Sequence, residues 1–138
     1  MIATTIEQSK KLLELGLSPE SADMYRWEYN GQWFISPLAE GGFNVGSTTD
    51  ELCWSLPALL ELMPNFIVSH DTAFEDEDAE GISTTYYKHL EINNKSIWEC
   101  SYKDDGILSR FKADTPIEAA YSMVVWLIEQ GYIKTEKK

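Results

Sequence analysis

The chain has 138 residues, of which 43% are hydrophobic and 25% are charged, a composition typical of one folded domain rather than of a disordered chain. Its 23 acidic against 11 basic residues give a formal net charge of −12, which opposes binding to a nucleic-acid phosphate backbone. No apolar run approaches the roughly 20 residues of a membrane helix, and the first residues lack the pattern of a signal peptide. We therefore predict a single globular domain over residues 1–138, cytoplasmic, with no membrane contact and no direct nucleic-acid binding.

The N-terminal part of the chain predicts an amphipathic helix followed by a short helical turn. The helix is expected over Thr4–Leu15, with Thr4 and Glu7 as its capping box and Gly16 as its terminating residue. Ser18-Pro19-Glu20 places a capping residue before a proline, which predicts the second turn.

An aromatic β-hairpin is predicted next. Two runs of alternating polarity flank Asn30-Gly31, a dipeptide favoured in type I′ turns because both of its residues need a positive φ. A two-residue turn pairs Glu28 with Trp33, and both faces of the hairpin then carry aromatic side chains. We expect the hairpin to be covered on both faces or to form an interaction surface. The residues assigned to that surface are Tyr25, Trp27, Tyr29, Trp33 and Phe34.

The middle of the chain predicts loops around a short helix and a strand. The run Gly41–Gly46 has no following Lys-Ser/Thr, so a phosphate-binding loop is rejected. Ser55 is the expected cap of a helix that Pro64 ends, and Asn65–His70 has strand character.

An acidic loop is expected over Asp71–Gly81, which contains six acidic residues and no basic one. Asp76, Asp78 and Glu80 match the first half of a calcium-binding loop, but Tyr87 stands where a bidentate glutamate is needed. A solvated acidic loop is therefore favoured, with weak cation binding as the alternative. The acidic surface comprises Glu75, Asp76, Glu77, Asp78 and Glu80.

A three-stranded meander is predicted from about residue 84 to residue 113. Asp105-Gly106 makes its second turn and pairs Cys100 with Phe111. For the first turn, a three-residue loop that pairs Leu90 with Trp98 is favoured over a two-residue turn because it buries more aliphatic surface.

The last predicted element is a helix over Pro116–Gln130, capped by Thr115 and Glu118 and ended by Gly131. It is apolar on nearly all sides and must therefore be covered on nearly all sides. We predict an α+β fold in which an antiparallel meander sheet of four to five strands packs on this helix, with two further helices at its edges.

No catalytic, cofactor-binding or metal-ligating residue is assigned. Cys53 and Cys100 stand in apolar contexts, which predicts two buried thiols. Either cysteine with His70 or His89 would make the Cys–His pair of a hydrolase, so this class stays an alternative until the fold shows whether they meet.

Three blocks of the chain carry a family resemblance. They are Thr4–Met24 (TTIEQSKKLLELGLSPESADM), Cys53–Pro64 (CWSLPALLELMP) and Ala113–Ile133 (ADTPIEAAYSMVVWLIEQGYI). Together they resemble small proteins encoded on prophages and mobile elements of gut anaerobes, which share the middle segment and the last helix. Pro57 stands where that family more usually has Ser. No activity is assigned to the family, so the resemblance implies a context and no mechanism.

We therefore predict a non-enzymatic accessory protein of a prophage or mobile element that acts through protein–protein contacts, including self-association. The alternative is an acidic mimic of DNA that inhibits a host nucleic-acid-binding protein by imitating its phosphate charge.

Overall fold

The computed structural model of the chain describes residues 2–38, 52–71 and 82–135. Within these ranges it contains three α-helices, one 3-10 helix and two antiparallel sheets, which confirms the predicted α+β class. The helices are α1 (Ile6–Glu14), the 3-10 helix (Pro19–Ser21), α2 (Leu56–Leu62) and α3 (Pro116–Glu129). The strands are β1 (Met24–Tyr29), β2 (Gln32–Pro37), β3 (Leu52–Cys53), β4 (Phe66–Asp71), β5 (Ile82–Ile92), β6 (Trp98–Lys103) and β7 (Ile107–Ala113).

The strands form two sheets rather than one. Strands β4-β5-β6-β7 make a meander, and α3 packs on β6, β7 and α2, as the sequence predicts. The hairpin of β1 and β2 belongs to a second sheet of order β2-β1-β3. Within the described ranges, the two residues of β3 pair with Met24 and Tyr25 at the root of the hairpin.

The register of the meander is confirmed between β6 and β7 as far as Tyr102; beyond it the register shifts, so Lys103 pairs with Ile107 beside the second turn. At the first turn the predicted register is wrong. Cys100 pairs with Phe111, as predicted, but Leu90 pairs with Cys100 rather than with Trp98. The loop covers residues 93–97 because the Asn93 side chain accepts hydrogen bonds from the backbone N–H groups of Lys95 (2.8 Å) and Ile97 (3.0 Å). The register slips by two residues, so the same side chains still face the core.

The predicted cap of α1 is displaced by one residue. Thr5, not Thr4, is the N-cap, and Gln8, not Glu7, completes the capping box. Thr4 is instead buried: its Oγ1 accepts the N–H of Trp54 at 3.0 Å and shares a 2.8 Å hydrogen bond with Ser9. A tertiary contact therefore decides between two adjacent threonines with equal local propensity.

Helix α3 begins at the predicted Pro116 and ends at Glu129, with Gln130, the last residue of the predicted helix, as its C-cap. Thr115 Oγ1 accepts the N–H of Glu118, and Gly131 has a φ of 83° just past the helix. The N–H groups of Gly131 and Tyr132 bond back to the carbonyls of Ile128 (3.1 Å) and Leu127 (2.8 Å), which is a Schellman motif. The buried residues of α3 are Ile117, Ala119, Ala120, Met123, Val124 and Leu127.

The cover of α3 is incomplete, contrary to the expectation of burial on nearly all sides. Met123 is fully buried, but Tyr121 and Trp126 are only half-buried. Both contact the core without lying inside it. None of the helices in the described ranges is long and apolar enough to cross a membrane.

The C-terminal end of α2 is attached to the meander by two polar side chains. The Lys88 ammonium donates to the carbonyls of Leu60 (2.9 Å) and Met63 (3.4 Å), and the Tyr102 hydroxyl donates to that of Pro64 at 2.6 Å. A cation at this position also complements the negative end of the helix dipole. These bonds fix α2 against the same face of the sheet that α3 covers.

Candidate interaction surface

The hairpin turn has the geometry that its sequence predicts. Asn30 and Gly31 have φ values of 50° and 76°, and the turn pairs Glu28 with Trp33 and Tyr29 with Gln32. Positive φ at both positions is the signature of a type I′ turn, whose twist matches that of the flanking strands. The predicted register is therefore confirmed along the whole hairpin.

One face of the hairpin carries a continuous aromatic surface. Trp27 and Phe34 lie opposite each other across β1 and β2, with ring centroids 4.7 Å apart and planes inclined by 24°. The Trp27 indole N–H donates to Ser36 Oγ at 3.0 Å. Tyr25 and Tyr29 share this face because side chains alternate along a strand. The stacked pair and its polar anchor hold the rings in a fixed arrangement.

These aromatic side chains are open to solvent at the tip of the hairpin. Tyr29 is 64% exposed, Trp33 53%, Phe34 37% and Trp27 36%. Tyr29, Phe34 and Trp27 share the aromatic face. If the total area of each side chain is about 200 Å², the exposed fractions of the three add up to roughly 300 Å². Trp33 lies on the opposite face beside Glu28. The exposed area reaches the range of about 300 to 600 Å² at which apolar patches on monomers are often functional.

The root of the hairpin is fixed by side chains at its base. The Asp23 carboxylate accepts both the backbone N–H of Ser55, at 2.8 Å, and the Ser55 hydroxyl. Ser55 Oγ in turn accepts the N–H of Ala58 at the start of α2. Within β1, the Arg26 guanidinium donates to the Thr4 carbonyl at 2.5 Å. The aromatic tip is thus carried on a base that is bonded to α1 and α2.

A second exposed apolar group lies on the outer face of the meander, and sequence reasoning missed it. Phe66 and Tyr87 pair across β4 and β5 with ring centroids 6.4 Å apart, and Val68 is exposed on the same face. The same face also carries charged side chains, for example where Lys103 donates to Glu91 at 2.8 Å. This hydrogen bond lowers the pKa of Glu91. The only local signal was the alternation of Phe66 and Val68 along β4.

The cysteines lie where the sequence predicts and form no Cys–His pair in the described part of the chain. Both are free and buried, and burial raises the pKa of Cys53 to about 11 and that of Cys100 to about 12. Cys100 faces the core with its partner Leu90, so His89 points to the opposite face of the meander. The His70 side chain lies outside the described residues.

The predicted acidic surface falls outside the described ranges. Glu75, Asp76, Glu77, Asp78 and Glu80 all belong to residues 72–81, so the alternative of weak cation binding there stays a prediction. In residues 2–38, 52–71 and 82–135, no cluster of three or more His, Cys, Asp or Glu side chains is arranged to hold a metal ion.

Comparison with known proteins does not place the chain in a family. No protein-family model, no curated protein and no solved structure matches the chain.

Proposed function

We propose that the chain is a non-enzymatic binding protein that contacts a partner protein through the aromatic tip of the β1–β2 hairpin. The observation that carries the proposal is the exposure of Trp27, Tyr29, Trp33 and Phe34 on a hairpin whose root is bonded to the rest of the molecule. Tyrosine and tryptophan are enriched in interfaces because each offers a large rigid area at low entropic cost.

The aromatic surface of the hairpin is pre-formed, which favours a role in binding. The Trp27–Phe34 stack and the bond from Trp27 to Ser36 fix two rings before any partner arrives. Binding then costs less conformational entropy than it would if these two side chains were free to rotate. The net charge of −12 opposes the approach of a second copy, so a basic or neutral partner is favoured and self-association is the lesser alternative.

The test is site-specific photo-crosslinking in cells that naturally produce the protein. Benzoylphenylalanine replaces Tyr29 at the tip, and a matched control replaces Ile107, which is comparably exposed on the meander. We expect one defined protein adduct from position 29 and none of the same mass from position 107. Light scattering of the purified chain determines in parallel whether that adduct is a second copy.

The aromatic face is tested by combining the crosslinker with Trp27→Ala and Phe34→Ala. We expect the adduct at position 29 to be lost, whereas Phe66→Ala on the other sheet should leave it unchanged. An adduct that survives both hairpin substitutions would refute the proposal. Equal adducts from positions 29 and 107 would refute it as well.

The wider context of this function stays a prediction. The resemblance to prophage and mobile-element proteins rests on sequence blocks alone, and the DNA-mimic alternative rests on residues outside the described ranges. Salt separates the two mechanisms, because a mimic binds basic proteins with an affinity that falls steeply as ionic strength rises. A contact made mainly by aromatic side chains loses much less affinity under the same change.

A further inference from the structure

An apolar groove runs between α3 and the edge strand β7. It has a volume of about 310 Å³ and is formed by one stripe of α3 facing one residue of β7. The volume of the groove lies at the lower end of the range for small-molecule sites, which begins at about 300 Å³. Its lining residues are Phe111, Tyr121, Ser122, Val125, Trp126 and Glu129.

Three of the lining side chains are aromatic, and the structure holds one of them in place. The Trp126 ring stacks on Tyr132, with centroids 5.8 Å apart and planes inclined by 29°. Tyr132 is itself positioned by the Schellman motif, through the bond from its N–H to Leu127. Burial raises the pKa of Tyr121, so its ring remains a neutral phenol at physiological pH. The three rings are therefore uncharged, and that of Trp126 is held in place before a ligand binds.

The electrostatics of the groove favour a cation. Glu129 is the one charged lining residue, and no cationic side chain within the described ranges pairs with it. The groove also reaches the last turn of α3, where the helix dipole is negative. The overall charge of −12 adds a long-range attraction for positive ligands.

We propose that this groove binds a small organic cation of the quaternary-ammonium class. The methylated head group would contact the faces of Trp126, Tyr121 and Phe111, which attract a cation through their quadrupoles. The Glu129 carboxylate would balance its charge from the rim of the groove. A quaternary ammonium is favoured over a primary one because it carries no N–H donors that an apolar site would leave unsatisfied. This site is separate from the hairpin and does not depend on its function.

The experiment compares choline with its neutral carbon isostere, 3,3-dimethylbutan-1-ol, which has the same shape without the charge. Both are titrated into the ¹⁵N-labelled full chain, and the five tryptophan indole signals are followed by NMR, that of Trp126 being assigned with Trp126→Phe. We expect choline to shift the Trp126 signal with a dissociation constant on the order of 1 mM. The isostere should bind about tenfold more weakly.

Two matched variants test the carboxylate. Glu129→Gln should weaken choline binding about threefold, whereas Glu28→Gln on the hairpin removes the same charge elsewhere and should leave the affinity unchanged. Equal affinities for choline and its isostere would overturn the proposal, since the groove would then be merely apolar. A Trp126 signal that does not move, or an equal effect of both glutamine variants, would overturn it too.

Discussion

Asp23→Ala should be among the most destabilising substitutions of a half-exposed residue in this chain. Its carboxylate accepts two hydrogen bonds from Ser55, one from the backbone N–H at 2.8 Å and one from the hydroxyl. A hydrogen bond to a charged group contributes about 1.5 to 3 kcal/mol, and partial exposure of the site favours the lower value for each. We expect a loss of about 3 kcal/mol in the free energy of unfolding, or roughly 10 °C in Tm for a chain of this size.

The assay is urea denaturation followed by circular dichroism, with Asp105→Ala as the matched control. Asp105 is an exposed turn residue, so its replacement removes the same charge without these bonds. A double-mutant cycle with Ser55→Ala should give a coupling of about 1 to 2 kcal/mol, because both single variants remove the hydrogen bond from the Ser55 hydroxyl to the carboxylate. If Asp23→Ala lies within about 0.5 kcal/mol of Asp105→Ala, the carboxylate does not hold the hairpin root and the reasoning is refuted.

Three further predictions concern the turns, the thiols and the attachment of α2. A Cβ added at Gly31 or at Gly106 meets nothing within 4 Å, so the positive φ of Gly31 is what separates the two positions. Gly31→Ala should lower the free energy of unfolding by about 1 to 2 kcal/mol because its φ is 76°, whereas Gly106→Ala should lower it by less than about 0.5 kcal/mol. Cys53 and Cys100 should not react with a thiol reagent at pH 8 until the chain unfolds. Burial raises the pKa of Cys53 from 9.0 to about 11 and that of Cys100 to about 12, so the thiols of the unfolded chain lose their protons at a lower pH than those of the folded chain. The free energy of unfolding should therefore fall as pH rises above 9, and alanine at both positions should flatten that decline. Tyr102→Phe should cost about 1 to 2 kcal/mol in urea denaturation, because it leaves the carbonyl just after α2 without its 2.6 Å donor.

The parts of the fold that the sequence predicts correctly are those that local chemistry specifies. Asn30-Gly31 determines a turn and hence a register, and Thr115 with Gly131 determines both ends of α3. Each signal lies within a few residues of its effect, so no knowledge of the tertiary structure is needed. The face on which each hairpin aromatic lies follows from the same local register, whereas its exposure does not.

The errors arise where a distant partner decides between equal local choices. Thr4 and Thr5 are equivalent as caps, and the contact of Thr4 with Trp54 selects Thr5. The first meander loop is longer than predicted because the Asn93 side chain closes it, which hydrophobic alternation does not reveal. The two described residues of strand β3 pair with β1, and a run that short has no periodicity from which a strand could be predicted.

The two candidate binding surfaces share a feature, since each presents aromatic side chains next to the last strand of a sheet in the described part of the chain. Among the described residues, β3 pairs with β1 at Met24 and Tyr25, at the root of the hairpin, whereas Trp27 and Phe34 lie nearer its tip. A two-stranded ribbon is marginally stable alone, and the Trp27–Phe34 stack stabilises the hairpin. In the meander, α3 packs on β6 and β7, and β7 is the last strand of the described sheet, which leaves Tyr121 and Trp126 only half-covered. Exposed aromatic side chains at a sheet edge promote aggregation unless charge or a ligand protects them. The net charge of −12 supplies the first protection, and the proposed partner and cation would supply the second.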